Sequence, residues 1–241
     1  MTYIDTHFHL DLMPSPEKTV EEIEKNRIYT IAVTNAPSVF INSLNLTAGK
    51  KYVKAALGLH PELMLERKGE LPLFLELLEN TRYVGEVGLD YSMLNEQERH
   101  DQLKIFEQII RKCSEYKDKI LTIHSRNATT DVISTIGENF PGKVILHWYS
   151  GNLKELQRAI DYGFYFSVNY AMANSEKGKR IIKGIPIDRL LTESDGPFVQ
   201  IKNEPFTPIK IPCIIHALSQ CLVIAEDKLK EIIFENFKSL L

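Results

Sequence analysis

No stretch of this chain reaches the roughly 18 consecutive apolar residues that mark a bilayer-spanning helix. The most apolar late segment, 209–225, is broken by Lys210, Pro212, His216, Ser219 and Gln220, and reads as a buried core helix. The N-terminus begins on a strand-like run and carries no basic, apolar leader, so a cytoplasmic protein without membrane contact is expected. Cysteine is scarce: Cys113, Cys213 and Cys221 are odd in number and lack metal-ligand spacing. That argues against a disulfide framework or a cysteine zinc site and for reduced thiols. An excess of one charge is also missing, with 29 Lys and Arg against 32 Asp and Glu, a net charge of −3. Attraction for an anionic partner would have to be local. Linkers, repeats and low-complexity segments are absent, and 241 residues suit one large α/β barrel or two small domains.

What the chain has is a regular alternation of short apolar runs and helical patterns. Strands are expected at 3–6, 29–34, 53–57, 83–87, 120–124, 144–147, 164–168 and 190–193. Helices are expected at 16–27 with Ser15 as cap, from Pro37 onward, and at 71–79, 96–116, 128–138, 153–161, 176–183, 208–225 and 227–237. In the helix at 96–116, Leu103, Phe106, Ile109, Ile110 and Cys113 fall on one face. Eight buried parallel strands, each followed by helix, is the count of a closed (β/α)8 TIM barrel spanning 1–241 as a single domain. An open doubly wound sheet is the alternative, but it would scatter along one edge the residues described next.

Four of the apolar runs stop on a residue able to bind a metal, and a barrel opens the carboxyl ends of its strands onto one rim. His7 and His9 are two apart on a strand and so share a face. Asp5 and Asp11 have the same parity and could fix the imidazole tautomers. Glu86 stands in Val84-Gly85-Glu86-Val87-Gly88, where a buried carboxylate is costly unless it is paired or bound to metal. A salt bridge to Lys or Arg is the competing reading; its two oxygens could instead bridge two cations. His124 and His147 each close an apolar strand. Either alone would read as a satisfied core histidine. Together, five of the seven histidines (His7, His9, His60, His124, His147) sit at expected strand ends, while His100 and His216 read as structural. Asp195, before Gly196-Pro197, is a turn aspartate or, at the mouth of the eighth strand, a metal ligand and proton acceptor.

With these segments in view, the chain resembles the TatD family of metal-dependent hydrolases and deoxyribonucleases, within the amidohydrolase superfamily. The resemblance runs in family order through Asp5-Thr6-His7-Phe8-His9-Leu10, Gly58-Leu59-His60-Pro61, Gly85-Glu86-Val87-Gly88-Leu89-Asp90 and Ile123-His124-Ser125-Arg126. It continues through His147-Trp148-Tyr149-Ser150-Gly151, Leu191-Thr192-Glu193-Ser194-Asp195-Gly196-Pro197 and Asn203-Glu204-Pro205. It implies two divalent ions (Zn, Mn, Co, Ni or Mg), one on His7 and His9 and one on His124 and His147, with Glu86 bridging and Asp195 completing the site. His60 and Arg126 match positions near the substrate phosphate, where an arginine can clamp a phosphate. The segment between Pro197 and Asn203 is short, Asn127 stands where an acid is frequent, and Arg99 and His100 stand where an aromatic is usual. This divergence is similar to that of TatD-like proteins of the Qat anti-phage system, which would bring protein partners.

The implied activity is phosphodiester hydrolysis of DNA by a metal-activated water, with Glu86 and Asp195 catalytic. Single-stranded or exposed ends fit a barrel mouth best, with Phe8, Tyr91, Trp148 and Tyr149 available to stack bases. Two rivals remain at this level. One keeps the metals and hydrolyses a small ester, an amide or an aminoacyl-tRNA bond. The other is a non-catalytic interaction subunit, against which the intact set of six ligand-type residues speaks.

Overall fold

The computed structural model describes residues 2–241. Its eight principal strands are β1 (Ile4–Phe8), β2 (Tyr29–Ala32), β3 (Val53–Ala55), β4 (Tyr83–Gly88), β5 (Ile120–His124), β6 (Lys143–His147), β7 (Tyr165–Val168) and β8 (Leu190–Thr192). They pair in parallel as β1-β2-β3 and as β4-β5-β6-β7-β8. Two seams close these arcs into a (β/α)8 barrel. At the first, Leu57 and Val84 form a parallel bridge, and Leu57 N–H donates to Tyr83 O and Gly85 N–H to Leu57 O. At the second, hydroxyls stitch β8 to β1: Thr192 Oγ1 donates to Ile4 O (2.6 Å) and Thr6 Oγ1 to Thr192 O (3.2 Å). Just above, Asp195 N–H donates to His7 O (2.9 Å).

Helices α1 (Pro16–Asn26), α2 (Pro37–Thr47), α3 (Pro61–Met64), α4 (Leu71–Leu77), α5 (Glu96–Cys113), α6 (Thr129–Ile136) and α7 (Leu153–Asp161) cover the outside in chain order. They are followed by α8 (Tyr170–Ala173), α9 (Glu176–Gly184), α10 (Ile211–Leu222) and α11 (Glu226–Lys238). The longest, α5, starts on a capping box in which Asn95 and Glu98 satisfy each other's backbone N–H, and it buries Ile105, Phe106, Ile109, Ile110 and Cys113. The main core lies between strands and helices; a smaller cluster of Phe8, Leu10, Val20, Ile23, Ile28, Ala32 and Val53 sits under α1.

Several expectations from sequence shift. Ser15 does not cap α1 with its side chain; it serves through its carbonyl, which accepts from Thr19. The third strand is regular only over Val53–Ala55; beyond it Ala56 N–H still donates to Ala32 O and Leu57 turns to bridge Val84 on β4. The helix expected at 176–183 is α9, capped by Ser175, and the short α8, begun by Asn169 accepting the Met172 N–H, precedes it without having been expected. The apolar segment near 209–225 is α10, amphipathic, with Ile211, Ile214, Ile215 and Leu218 buried. Among the described residues no single helix is long and apolar enough to cross a membrane; the segments Pro208–Leu222 and Glu226–Lys238 meet at a 108° bend. The short stretch after Pro197 forms a hairpin of β9 (Gln200–Ile201) and β10 (Glu204–Pro205), turning through Lys202 and Asn203 at positive φ.

Candidate metal centre at the barrel rim

Glu86 is at the middle of the rim because β4 is pressed against its neighbour. A Cβ at Gly85 would overlap the Thr122 side chain, and one at Gly88 would overlap the His124 carbonyl, so only glycine allows this approach. The two carboxylate oxygens then face two groups of histidines. Oε2 lies 3.2 Å from His7 Nε2, 3.1 Å from His9 Nε2 and 3.3 Å from His60 Nε2. Oε1 lies 2.6 Å from His124 Nδ1 and 3.0 Å from His147 Nε2. Asp195, held at φ 48°, points Oδ1 between His7 and His9, at 3.8 and 3.7 Å from their Nε2 atoms. That buried oxygen has no hydrogen-bond partner.

All eight residues singled out in the sequence therefore meet at one opening, a cavity of about 500 Å3, except that His7 lies beneath its lining. His60 sits deeper than a purely substrate-facing role requires: its Nε2 joins the Glu86 group, while its Nδ1 accepts from Glu62 N–H (3.2 Å). Arg126 is at the exposed edge, 3.9 Å from Glu62, and the pair is too solvated to fix it firmly. Phe8 and Tyr149 are not available to stack bases. Both are buried in the core, Phe8 on β1 and Tyr149 in the turn after β6; Tyr91 is half-buried with its hydroxyl on Asp131, and of the four only Trp148 lines the cavity. Asp5 does not touch an imidazole; it accepts from the backbone N–H of His7 and Ser194. Asp11 comes within 3.9 Å of His9 Nδ1 while accepting from Asn35. His100 and His216 lie outside the site, His216 against Glu226.

Sequence reasoning assigned no role to four groups at the site. Thr122 Oγ1 lies 2.7 Å from His7 Nδ1, and its parity two residues before His124 was the available signal. Asp90 Oδ2 lies 2.8 Å from His124 Nε2. Glu193, fully buried, accepts from Ser167 Oγ, Asn169 Nδ2 and Trp148 N–H. Phe198, 56 % exposed, stands edge-on to His9 with ring centroids 4.9 Å apart; nothing in its spacing marked it.

Burial and charge pull these groups in opposite directions. Burial opposes the Glu86 carboxylate, yet the imidazoles of His60, His147 and His7 overcome it and hold its carboxyl well below the ordinary value. Burial pushes the Asp195 carboxyl well above it; His147 opposes the shift and Glu193, Glu86 and Asp5 add to it. Burial and the neighbouring His147 drive His7 well down. His147 is raised despite burial, by Glu86 and Glu193. Asp90 is lowered to about 2 despite burial, because His124 and Ser92 bond its charged form.

The donor set fits divalent cations. Among the described residues, no Lys or Arg pairs with Asp5, Glu86, Asp90, Glu193 or Asp195, so the salt-bridge reading of Glu86 fails. Three triads bring their ligand atoms within 4.8 Å of one another: His7, His9 and Asp195; His60, Glu86 and His124; and His7, His147 and Glu193. Imidazole and carboxylate together suit Zn, Mn, Co or Ni, with Mg favouring more oxygen.

A parallel barrel with this imidazole and carboxylate cluster on its carboxyl rim has the build of a metal-dependent hydrolase. Residues 4–241 match the family described as TatD related DNase, and the chain belongs to that family. An uncharacterized metal-dependent hydrolase of Buchnera aphidicola subsp. Baizongia pistaciae is 30 % identical over 224 residues, 85 % of this chain and 84 % of that protein. Deoxyribonuclease TATDN3 of Homo sapiens is 26 % identical over 84 % of this chain and 82 % of its own length. The fold is shared with the TatD homolog YJJV of Escherichia coli, at a TM-score of 0.86 and 24 % identity over 99 % of this chain and 97 % of that one.

Proposed function

We propose that this chain is a divalent-metal-dependent deoxyribonuclease that hydrolyses phosphodiester bonds at exposed or single-stranded ends, with residues 1–241 acting as one barrel. The observation that carries the proposal is Glu86, whose two oxygens face two separate histidine groups, with an unpartnered Asp195 oxygen beside them. His7, His9 and Asp195 would hold one cation and His124 and His147 a second, with Glu86 shared and His60 at hand. Bound there, divalent cations would supply Lewis acidity that makes water acidic enough to act at neutral pH and offsets charge on the phosphoryl oxygens.

The protein's own groups do the rest. Asp195 Oδ1 accepts the proton of the attacking water, since no other donor occupies it. Arg126, on the cavity edge, swings from Glu62 to the incoming phosphate, where its fork geometry gives it an advantage over a carboxylate partner in solvent. Phe198 and Trp148 line the mouth and offer ring faces to an unpaired base. A mouth of about 500 Å3 takes a strand end and is narrow for a stacked duplex. A cytoplasmic setting and a part in anti-phage defence belong to the same proposal, the latter resting on the divergent rim segments; loss of plaque reduction in a Glu86→Ala strain would support it.

Purified protein loaded with each of the candidate metals is to be assayed on single-stranded DNA, duplex DNA, RNA and a panel of small esters. The proposal expects turnover on DNA, fastest on single strands, and at least about 100-fold loss in Glu86→Ala. Turnover confined to the esters, or undiminished in Glu86→Ala, would refute it.

A further inference from the structure

Both oxygens of Glu193 are engaged by donors, and the reaction proposed above leaves this carboxylate without a task. It is fully buried where β8 ends. Oε2 accepts from Ser167 Oγ. Oε1 accepts from Asn169 Nδ2 (3.1 Å) and from the backbone N–H of Trp148 (3.1 Å), and it lies 3.6 Å from His147 Nδ1. Those last two contacts are to consecutive residues on another strand end. His147 presents its opposite nitrogen, Nε2, to Glu86. Trp148 has φ 37°, a left-handed conformation that a bulky residue adopts only when its surroundings impose it.

We propose that Glu193 is a positioning residue that locks the His147-Trp148 turn, fixing at once the imidazole that faces Glu86 and the indole that walls the cavity. Its charge, 3.6 Å from Nδ1, favours a proton there and leaves the Nε2 lone pair directed at the rim. His147 Nδ1 has no better partner among the described residues, being buried without a hydrogen bond. Its Oε1 also gives the Trp148 N–H the acceptor that a turn of this kind cannot find within its own strand. Ser167 and Asn169, on β7 and just after it, hold the carboxylate itself in place. Three consecutive strand ends thereby converge on one carboxylate. The imidazole half of this inference rests on His147 being a metal ligand; the indole half does not.

Trp148 is the only tryptophan in the chain, so its emission reports this turn without any assay of turnover. Two variants separate the two halves. In Glu193→Ala the acceptor is gone, and the account expects a red-shifted emission, at least twofold greater quenching by acrylamide, and Zn2+ affinity lower by roughly 10- to 100-fold. In Glu193→Gln the acceptor remains and the charge is lost, so emission stays as in the wild type while Zn2+ affinity falls roughly tenfold. Should Glu193→Ala fail to fold, Glu193→Asp, which withdraws the carboxylate by one methylene, takes its place with the same emission shift expected. Unchanged emission in the folded variant that lacks or withdraws the acceptor would overturn the indole half. Wild-type Zn2+ affinity in Glu193→Gln would overturn the imidazole half. A wild-type protein that binds no Zn2+ would instead strike at the proposed function, and the emission result would still stand.

Discussion

Asp195 carries the sharpest expectation for a single side chain. Its Oδ1 is buried, lacks a donor and lies among the histidines, so exchanging the carboxylate for an amide removes the proton acceptor with little change of shape. Asp195→Asn should keep its melting behaviour and lose roughly 100- to 10,000-fold in kcat, the usual worth of a general base. Single-turnover kinetics on a labelled oligonucleotide would measure it, and a fall confined to KM would go against the assignment. Phe198 should behave in the opposite way. It touches only the outer side of the site, edge-on to His9, and is more than half exposed. Phe198→Ala should weaken binding of single-stranded DNA by about 1–3 kcal/mol, or roughly 5- to 150-fold, while kcat changes little. Fluorescence anisotropy with an uncleavable strand would check this. The difference between the two residues is also a difference in legibility. Asp195 announces itself by following a buried strand, whereas Phe198 gains its place only from the fold of the segment after Gly196.

At the level of elements, the site depends on how tightly β4 lies against β5. Gly88 has φ 144° and faces the His124 carbonyl, so Gly88→Ala must push the two strands apart at the point where Glu86 and His124 meet. It should cost at least about 1–3 kcal/mol of stability, as overpacking usually does. It should also weaken Zn2+ binding, which calorimetry and metal titration can read together. Strand and helix identities were legible because apolar runs of four to six residues between turn residues have few other readings. The helix caps were less so: Ser15 has the right chemistry but offers its carbonyl, and the four-residue α8 that Asn169 begins, ahead of the helix expected at 176–183, is too short to show a helical period. The direct ligand-type residues were legible because each ends a buried run. Thr122, Glu193, Ser167 and Asn169 were not assigned, because a hydroxyl or an acid on a strand has many uses, and its partner lies on a different strand, out of reach of local pattern. For Phe8 and Tyr149, nearness to the rim in sequence did not reveal that their side chains turn into the core.

Across the whole molecule, the centre draws on six strand ends spread from β1 to β8, including the seam where the chain closes on itself. Cation binding should therefore favour the closed barrel, since its ligands come from strands on both sides of each seam. The rim gathers several buried carboxylates whose only cationic partners within salt-bridge distance, among the described residues, are histidines, a costly arrangement that a bound cation would relieve. A ligand that binds only the folded state at 100 times its Kd adds about 2.7 kcal/mol of stability. For a chain of this length that corresponds to a rise of roughly 5–11 °C in Tm. Calorimetry of chelator-stripped protein before and after addition of Zn2+ should show this rise, and Glu86→Ala should show little of it. The absence of a global positive charge sits well with the same picture, since attraction for a phosphate is concentrated at the cations and Arg126.

Anomalous diffraction from crystals of the Zn2+-loaded protein puts the central claim to the most direct trial. The account predicts density peaks on both sides of the Glu86 carboxylate, one within bonding distance of His7, His9 and Asp195 and the other within bonding distance of His124 and His147. A map with no peak against Glu86, while zinc appears elsewhere or nowhere in the molecule, would contradict it.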